Sequence, residues 1–407
     1  MLVPKLRFKR EDGTEYPEWE SYTIKNVATI KNGPFGSVLH SSDYVESGFP
    51  IITTEHFKSG FIQNDITSIP KVSEDDYKRL KGYVLQTNDI VFSRVGTVDI
   101  NALVSYRENG WLFSGRVIRV RPNSGYNSAY LHYLLSTQKV KNDIISRAVG
   151  QTMPSINSEI LNSTTLNITP EIEEQQKIAY FLSTVDEVIT QSEAEVQNLE
   201  QQKKAAMQKI FSQEVRFKRE DGTEYPAWEE KRLHQLVIPN DKIPVDTSKY
   251  RKITIGLRLK GVSFTETTRE MADKRPFYLR KEGEIIVGKQ NYFNGSIALI
   301  TKEFNNTICS NAIMSFMPND SVITLFLLSA ISNNKYLKER EYMANGTGQK
   351  ELSEKDFLNF SVSIPCLEEQ QKIADFLSAY DEAISYAKQE LDKWKELKKG
   401  LLQQMFV

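Results

Sequence analysis

The chain has 407 residues, enough for two to three domains, and 40% of them are hydrophobic. The most apolar run, 322–331, is too short to span a membrane, and the two cysteines have no zinc-ligand spacing, so the composition favours a cytoplasmic protein. The net charge of −1 for the whole chain argues against a nucleic-acid partner. The charge is unevenly distributed, however: residues 1–170 carry +2 and residues 212–365 carry +3, which permits DNA binding by these two segments.

The chain contains one arrangement twice. Residues 7–20 read RFKREDGTEYPEWE and residues 216–229 read RFKREDGTEYPAWE, with thirteen identities in fourteen. Residues 170–189 and 365–384 agree at fourteen of twenty positions. These two segments are 195 positions apart, whereas the segments at 7–20 and 216–229 are 209 positions apart. The second copy is therefore fourteen residues shorter than the first. The residues that it lacks correspond to positions within 21–88 of the first copy. Similar flanks around divergent interiors favour a shared scaffold with two different surfaces; the alternative is a recent duplication whose interiors have decayed.

Both interiors are predicted to be mixed α/β and rich in turns. The predicted elements are, in chain order, strands 89–94 and 116–120, helix 128–140, strands 284–287 and 312–316, and helix 324–337. Turn residues recur, as at Asn32-Gly33-Pro34 and Asn294-Gly295. Loop-rich domains of this kind suit recognition.

A long heptad pattern follows each interior. Apolar residues recur at alternating spacings of three and four over 178–210 and 373–405, which predicts two helices of a coiled coil. The predicted seam includes Ile178, Leu182, Val185, Ile189, Ile373, Leu377, Tyr380 and Ile384. Lys203 and Lys398 fall at equivalent seam positions, where a lysine either fixes the helix register or extends past the seam into solvent.

These patterns predict an α+β fold. Two pseudo-symmetric mixed α/β domains are expected to be separated by two long antiparallel helices that form an intramolecular coiled coil. The expected segments are a first variable domain at 1–170, a helix at 171–211, a second variable domain at 212–365 and a second helix at 366–407.

Residues suited to catalysis or metal binding are scarce. His40, His56, His132 and His234 are scattered and lack metal-ligand spacing. Residues 283–290 imitate a phosphate-binding loop, but Gln290 replaces the required Ser or Thr and the intervening residues are typical of a strand. We therefore expect no catalytic residues, no metal and no bound cofactor in this chain.

Groups able to contact DNA are easier to find in both interiors. Arginine, lysine and asparagine supply donors for phosphates and guanine edges, and a glutamine amide can reach adenine. The candidate DNA-binding residues are Arg94, Arg116, Arg119, Gln151, Thr152, Arg258, Lys260, Lys289, Asn291, Tyr292, Gln349 and Lys350, accompanied by Arg121 and Asn294. For any single one of them, a solvated surface position is the alternative.

The repeated helix block carries a family resemblance. Two divergent domains, each followed by P-x-x-E-E-Q-Q-K-I-A-x-F-L-S-x-x-D-E-x-I, resemble the specificity subunits of Type I restriction-modification systems over essentially the whole chain. The block E-E-Q-Q-K-I-A occurs at 173–179 and again at 368–374. The resemblance implies that each variable domain is a target recognition domain for one half of a split DNA site, with the helices as spacer.

The resemblance also implies partners for this chain. These are double-stranded DNA, two modification subunits that methylate adenine with S-adenosylmethionine, and restriction subunits that use ATP and Mg²⁺. The alternatives are a coiled-coil scaffold, a DNA-binding protein without an associated enzyme, and a stand-alone methyltransferase or nuclease. The last would need a cofactor pocket or an acidic metal cluster, for which the sequence offers no motif.

The near-identical lead-ins at 7–20 and 216–229 suggest a further hypothesis. Folding alone is not expected to require thirteen matches in a charged segment. We expect Trp19 and Trp228 to pack against the helical core, and near-identity at gene level would allow the recognition domains to be exchanged by recombination.

Overall fold

A computed structural model describes residues 2–34, 38–63, 65–265, 275–341 and 351–407. Its contacts divide the chain into unit 1, which comprises Met1–Glu193 and Gln389–Val407, and unit 2, which comprises Ala194–Lys388. Each unit contains one variable domain and about half of each long helix. This division differs from the four predicted segments, in which each helix stood alone.

Unit 1 is built on a central antiparallel sheet. Its strands are β1 (Glu20–Thr23), β2 (Ala28–Asn32), β3 (Tyr44–Val45), β4 (Phe49–Ile52), β5 (Lys71–Val72), β6 (Ile90–Ser93), β7 (Asn101–Leu103), β8 (Leu112–Phe113), β9 (Val117–Pro122) and β10 (Thr165–Ile168). Its helices are α1 (Ile24–Val27), α2 (Glu74–Arg79), α3 (Ser128–Leu135), α4 (Gln138–Arg147), α5 (Ser158–Asn162) and the first half of α6 (Ile172–Phe211). The central sheet has the order β2-β9-β6-β7, the second sheet has the order β3-β5-β4-β8, and β1 pairs with β10.

Unit 2 repeats the central sheet. Its strands are β11 (Glu229–Arg232), β12 (Val237–Pro239), β13 (Ile253–Ile255), β14 (Val262–Phe264), β15 (Phe277–Arg280), β16 (Ile285–Gly288), β17 (Ile297–Leu299), β18 (Thr307–Ser310), β19 (Ile313–Pro318) and β20 (Ser361–Ile364). Its helices are α7 (Thr324–Ser332), α8 (Asn334–Arg340), α9 (Glu354–Asn359) and the first half of α10 (Leu367–Met405). The order β12-β19-β16-β17 matches β2-β9-β6-β7, whereas the pairs β13-β14 and β15-β18 replace the second sheet of unit 1.

The predicted fold class is confirmed, and so are the four predicted strands, but each of the two predicted domain helices is broken. The helix predicted at 128–140 stops after Leu135 and restarts at Gln138 as α4, and the one at 324–337 restarts at Asn334 as α8. Asn333 has an extended backbone and its side chain accepts a hydrogen bond from the Tyr336 N–H. Asparagine favours such a cap over a helix interior, which explains the break at Asn333. Thr137 also has an extended backbone, but its hydroxyl donates to the Leu134 carbonyl at 2.8 Å and does not cap α4.

The long helices pack antiparallel in both units. Their pairing is visible in four ion pairs: Glu193 with Lys395 at 2.7 Å, Asp186 with Lys398 at 2.5 Å, Glu200 with Lys388 at 2.7 Å and Lys203 with Asp381 at 2.5 Å. Within each unit, residue numbers rise along α6 as they fall along α10. Of the eight seam residues named above, seven are buried, and Tyr380 is half-buried and meets Phe376 edge to face. The seam lysines Lys203 and Lys398 are also half-buried.

Both seam lysines are paired with aspartates, which favours their role in fixing the register. Asp186 is only 6% exposed, and it also accepts a hydrogen bond from the Tyr133 hydroxyl at 2.8 Å. The Asp381 side chain is 63% exposed, so the corresponding pair in unit 2 is more strongly screened by solvent. The pair with Lys398 is therefore the stronger constraint.

The helix ends are part of the domain cores. In unit 2, Ile210 near the end of α6 belongs to the same buried cluster as Ile373 and Leu377 near the start of α10. The cluster also contains Phe316 of the central sheet and Phe357 of α9. The variable domain of unit 2 is thus attached to both long helices by apolar packing.

The repeated E-E-Q-Q block positions the domain on the helix. Gln175 is fully buried, its amide donates to the Thr169 carbonyl at 3.0 Å, and its oxygen accepts from the Asn127 N–H at 2.8 Å. Gln370 repeats these bonds with the Pro365 carbonyl and the Ile323 N–H. In both units this glutamine joins the long helix to the loop that begins the domain helix pair.

The preceding glutamate of each block clamps the lead-in. Glu174 is fully buried and accepts from the Arg7 guanidinium at 2.7 and 2.9 Å, while Arg7 also donates to the carbonyls of Tyr16 and Pro17. In unit 2, Glu369 accepts from Arg216 at 3.2 and 2.6 Å. The bond to Glu174 raises the pKa of Arg7, so this guanidinium stays charged at neutral pH.

The lead-in itself is a short hairpin in both copies. Asp12 accepts from the Thr14 N–H at 2.9 Å, and Gly13 between them has a φ of 84°, which only glycine adopts at little cost. Trp19 packs edge to face on Phe406, and Trp228 on Phe211, as predicted. Contrary to our expectation, many of the identical residues therefore have a structural role.

Burial of His132 predicts a pH dependence. Its ring is buried in unit 1 and is hydrogen-bonded to Asn101 at 2.6 Å. Burial is the main cause that lowers the pKa of His132 from 6.5 to about 3, and the positive charges of Lys398 and Lys141 add to this effect. As the pH falls below about 6.5, the His132 imidazole therefore becomes protonated in the unfolded chain while it stays neutral in the folded chain, and this favours unfolding. We expect the free energy of unfolding to be lower by about 2 kcal/mol at pH 5 than at neutral pH. Urea unfolding against pH, compared with His132→Asn, measures this; equal slopes for both would contradict it.

In the ranges described above, no helix is long and apolar enough to cross a membrane.

Candidate nucleic-acid interface

Three segments of unit 1 meet where strand β6 ends. The Arg94 N–H donates to the Arg116 carbonyl at 2.9 Å, and the Ile156 N–H donates to the Arg94 carbonyl at 2.9 Å. The Gly96 N–H donates to the Pro154 carbonyl at 2.8 Å, which fixes the loop of residues 148–155 against the same strand end. Two predicted arginines and the predicted glutamine loop are thus brought together.

The loop presents Gln151 and Thr152 to solvent. Both are exposed, and the preceding Gly150 has a φ of 106° and would place a Cβ only 2.7 Å from the Met153 carbonyl oxygen. Glycine is therefore required at this turn. The exposed glutamine amide is therefore accessible to a ligand.

Arg119 and Arg121 of β9 differ in their surroundings. Arg121 donates to Asp89 at 2.6 and 2.7 Å, and Asp89 is 1% exposed, so this arginine has a structural partner. We therefore remove Arg121 from the candidates. Arg119, opposite Lys31 in the register, is half-buried, and its Nε has no hydrogen-bond partner among the described residues. Burial, then the charge of Arg121, lowers the pKa of Arg119.

Lys289 of unit 2 occupies the position of Arg94. Its N–H donates to the Ala312 carbonyl at 3.0 Å, and its carbonyl accepts from the Leu352 N–H at 2.8 Å. These bonds repeat those of Arg94 with Arg116 and Ile156 at sequence offsets of 195 to 196. The two basic residues chosen independently from the sequence are therefore structural equivalents, with Lys289 half-buried.

A hairpin tip adds a second basic group in unit 2. The turn between β13 and β14 contacts the turn after β16, because the Arg258 N–H donates to the Asn294 carbonyl at 2.7 Å. Arg258, Lys260 and Asn294 are exposed, and Asn291 is half-buried. The structure thus brings together four predicted residues that are up to 36 positions apart in the sequence.

Tyr292 is a correction to the predicted site. Its side chain is fully buried, and its hydroxyl donates to the Ile331 carbonyl at 2.7 Å, so it is a core residue and cannot contact DNA. Its position in the N-Y-F-N turn gave no sign of this. Gln349 and Lys350 lie outside the described residues.

Replacing Tyr292 with phenylalanine tests this correction. We expect a loss of about 1–2 kcal/mol in unfolding free energy, because the buried Ile331 carbonyl loses its donor, and no change in DNA affinity. Urea unfolding and a DNA-binding titration measure the two effects, with the exposed Tyr386→Phe as control. Weaker DNA binding at unchanged stability would restore Tyr292 to the interface.

Sequence reasoning missed a polar cavity in unit 2. It has a volume of 150 Å³ and is lined by residues that include Lys242, Arg280 and the predicted Lys289. Lys242 follows β12 and Arg280 ends β15, so the two belong to no common motif. The fold alone brings them to the end of β16.

Potential metal ligands and thiols are dispersed in the described ranges. Within them, no group of three or more His, Cys, Asp or Glu residues could hold a metal ion. Cys309 is buried and Cys366 half-buried, both as free thiols, and burial raises the pKa of Cys309. Residues 285–288 of the apparent phosphate loop form strand β16, as predicted.

Comparison with known proteins agrees with this geometry. The model of the Type I restriction modification DNA specificity domain matches residues 16–201 and again 208–395. The chain therefore belongs to this family, as a specificity subunit of a Type I restriction-modification system with two target recognition domains. The resemblance of the E-E-Q-Q-K-I-A blocks is confirmed.

Relatives match over nearly the full length. The chain is 26% identical to the putative type I restriction enzyme MjaX specificity subunit of Methanocaldococcus jannaschii, covering 97% of this chain and 94% of the relative. It is 24% identical to the MjaVIII specificity subunit of the same organism, with the same coverage. A solved S subunit of a Type-I restriction-modification system from M. genitalium has a TM-score of 0.60 at 16% identity, covering 100% of this chain and 99% of that chain. This last likeness concerns the fold.

Proposed function

We propose that the chain binds a bipartite, asymmetric DNA sequence, that each target recognition domain reads one half-site, and that the chain directs methyltransferase and restriction subunits to it. One observation carries the proposal. The same sheet in each unit ends in a basic residue held by the same backbone bonds, Arg94 in unit 1 and Lys289 in unit 2, while the surrounding side chains differ. Equivalent frames with different side chains suit two different half-sites.

The groups around each strand end support readout of DNA. Unit 1 supplies Arg116 and the Gln151 amide, whereas unit 2 supplies Arg258 and Asn294 from two adjoining turns. Arginine donors pair with guanine edges and amide side chains pair with adenine. Since the two sets differ in type and position, the two half-sites should differ in sequence.

The long helices are the part of the chain that we propose sets the spacing between half-sites. At 1.5 Å per residue, the 40 residues of α6 extend over about 60 Å, more than the ~34 Å of one DNA turn. Apolar packing attaches the domain of unit 2 to both helices, and the ion pair of Lys398 with Asp186 fixes their register in unit 1. The spacer length of the target would then follow from the helix pair.

In this proposal the chain has no catalytic residues and binds no cofactor. Two modification subunits would supply S-adenosylmethionine and methylate adenine, and restriction subunits would use ATP and Mg²⁺. A pure scaffold would leave the basic strand ends without a role. A DNA-binding protein without an associated enzyme would bind the same target but direct no methylation.

Reconstitution tests the proposal. The chain is combined with its modification subunits and S-adenosylmethionine, and methylated adenines are mapped in genomic DNA exposed to the complex. We expect one split motif with two unlike halves. Random methylation, or methylation by the chain alone, would overturn the proposal. Target binding by the chain without any stimulation of methylation would favour the DNA-binding protein that has no associated enzyme.

A further inference from the structure

The polar cavity of unit 2 is lined by three cationic side chains. Lys242, Arg280 and Lys289 line its 150 Å³, together with Asn240, Asn311 and Glu354. This volume is about five times the ~30 Å³ share of one water molecule in the liquid, so the cavity can admit a small anionic group. It lies at the end of β16, where Lys289 is the counterpart of Arg94.

Arg280 is a buried cation with neutral partners. Its side chain is 2% exposed, and its guanidinium donates to the Cys309 Sγ at 2.9 Å and to the carbonyls of Leu279 at 3.0 Å and Ile313 at 3.5 Å. Among the described residues no carboxylate forms an ion pair with it. The Glu284 carboxylate attracts Arg280 electrostatically but forms no direct ion pair with it, so an anion in the adjoining cavity would lower the cost of burying this charge.

The carboxylates near the cavity do not cancel its charge. Glu354 forms an ion pair with Lys242 at 2.7 Å. Glu284 is bonded by the Ser315 hydroxyl at 2.5 Å and by the Asn240 amide, and burial raises its pKa towards the neutral form. Even with both carboxylates ionised, the three cations leave a net positive charge.

We propose that this cavity binds a phosphate group of the DNA backbone at the second half-site. The proposal rests on the function proposed above and names one contact of that interface. Lysine and arginine side chains offer donors without acceptors, which suits phosphate oxygens and gives the domain its register on the duplex. A phosphate here would place the exposed Arg258 hairpin, which contacts the turn following Lys289, beside the neighbouring bases.

Unit 1 has cations at two sheet positions whose counterparts in unit 2 are neutral residues that line the cavity. Lys31 and Arg119 stand opposite each other in the register of β2 and β9, and Asn240 and Ser315 are their counterparts in unit 2. The Arg119 Nε is buried and lacks a partner among the described residues. In each domain, therefore, a cation at this end of the central sheet lacks a full counter-charge, although the side chains differ between the domains. This is expected for a contact common to both half-sites.

Replacing Lys289 with methionine tests the assignment. The full-length chain, assembled with its modification subunits, is titrated with a duplex carrying its mapped target and with a duplex lacking it. We expect about tenfold weaker binding to both. The slope of log affinity against log salt should fall by about 0.9, as for the loss of one phosphate contact. Lys281→Met is the matched control, because Lys281 is exposed in the turn between β15 and β16 and does not line the cavity, so its replacement should change neither quantity.

A neutral backbone locates the phosphate. Single methylphosphonates are scanned along the second half-site, and one position should weaken binding by the wild-type complex without weakening the Lys289→Met complex further. A second arm uses inorganic phosphate alone, with thermal unfolding compared in phosphate and chloride at equal ionic strength. Lys242→Met repeats both arms, so that the result does not depend on one variant.

The outcomes separate the contact from the proposed function. If the wild-type complex binds its target and Lys289→Met binds it equally well with the same salt slope, the phosphate assignment is wrong and the function stands. Selective loss of target binding alone would make Lys289 a base-reading residue and overturn the phosphate contact. If free phosphate stabilises the wild type while DNA binding is unaffected by both variants, the cavity is a free-anion site. Absence of any specific target overturns both proposals.

Discussion

Replacing Glu174 with alanine should lower the free energy of unfolding of unit 1 by about 3–5 kcal/mol, the cost of breaking a buried ion pair. The carboxylate is fully buried and receives two bonds from Arg7, whose side chain is 8% exposed, and one from the Thr169 hydroxyl. Alanine leaves the guanidinium buried without its counter-charge. Urea unfolding followed by tryptophan fluorescence measures the effect, since Trp19 closes the same lead-in.

The neighbouring Glu173 provides a matched control. It is one residue away on the same helix turn but exposed, so Glu173→Ala should leave the unfolding midpoint unchanged. Glu369→Ala should weaken unit 2 less, because the Arg216 side chain is 25% exposed and solvent screens part of the lost attraction. Equal midpoints for wild type and Glu174→Ala would contradict the clamp, and so would a larger effect of Glu173→Ala.

The heptads and repeats predicted most of the fold because they are periodic. A seam residue such as Leu182 must be buried once α6 forms, and the strand at 285–288 is apolar throughout. The breaks at Thr137 and Asn333 were missed because they depend on local backbone geometry, which competes with the apolar pattern of the following helix. The structural role of the lead-in was not predicted, because the bond between Arg7 and Glu174 joins residues 167 positions apart and forms only in the folded chain.

The candidate site was predicted only in part, for the same reason. Arg94 and Lys289 were predicted as donors able to contact DNA, and the structure makes them equivalent. Tyr292 was wrong because a turn of polar neighbours conceals a side chain that faces the core. Arg280 was missed because its neutral partners are evident only in the folded chain, where strand pairing brings Cys309 and backbone carbonyls near it. Burial and long-range pairing determine which cations remain available to a ligand.

Replacing residues 7–170 with 216–365 should produce a chain whose two half-sites both have the sequence read by the second recognition domain. The structure indicates that such a graft keeps its attachments. Arg216 of the transplanted lead-in meets Glu174 in α6 as it meets Glu369 in α10, and the E-E-Q-Q block is the same in both helices. The graft therefore changes the turns that are proposed to contact DNA while it preserves the clamp.

Mapping methylated adenines with the reconstituted complex measures this prediction. We expect the first half-site of the motif to disappear and the second to occur twice, with spacing still set by the long helices. The reciprocal chain, with 7–170 in place of 216–365, should duplicate the other half-site and is the matched control. A graft carrying Glu174→Ala should lose stability as the wild type does, which separates failure of folding from failure of recognition. A stable graft that retained the original motif would show that specificity does not reside in these domains, and the modular interpretation would have to be abandoned.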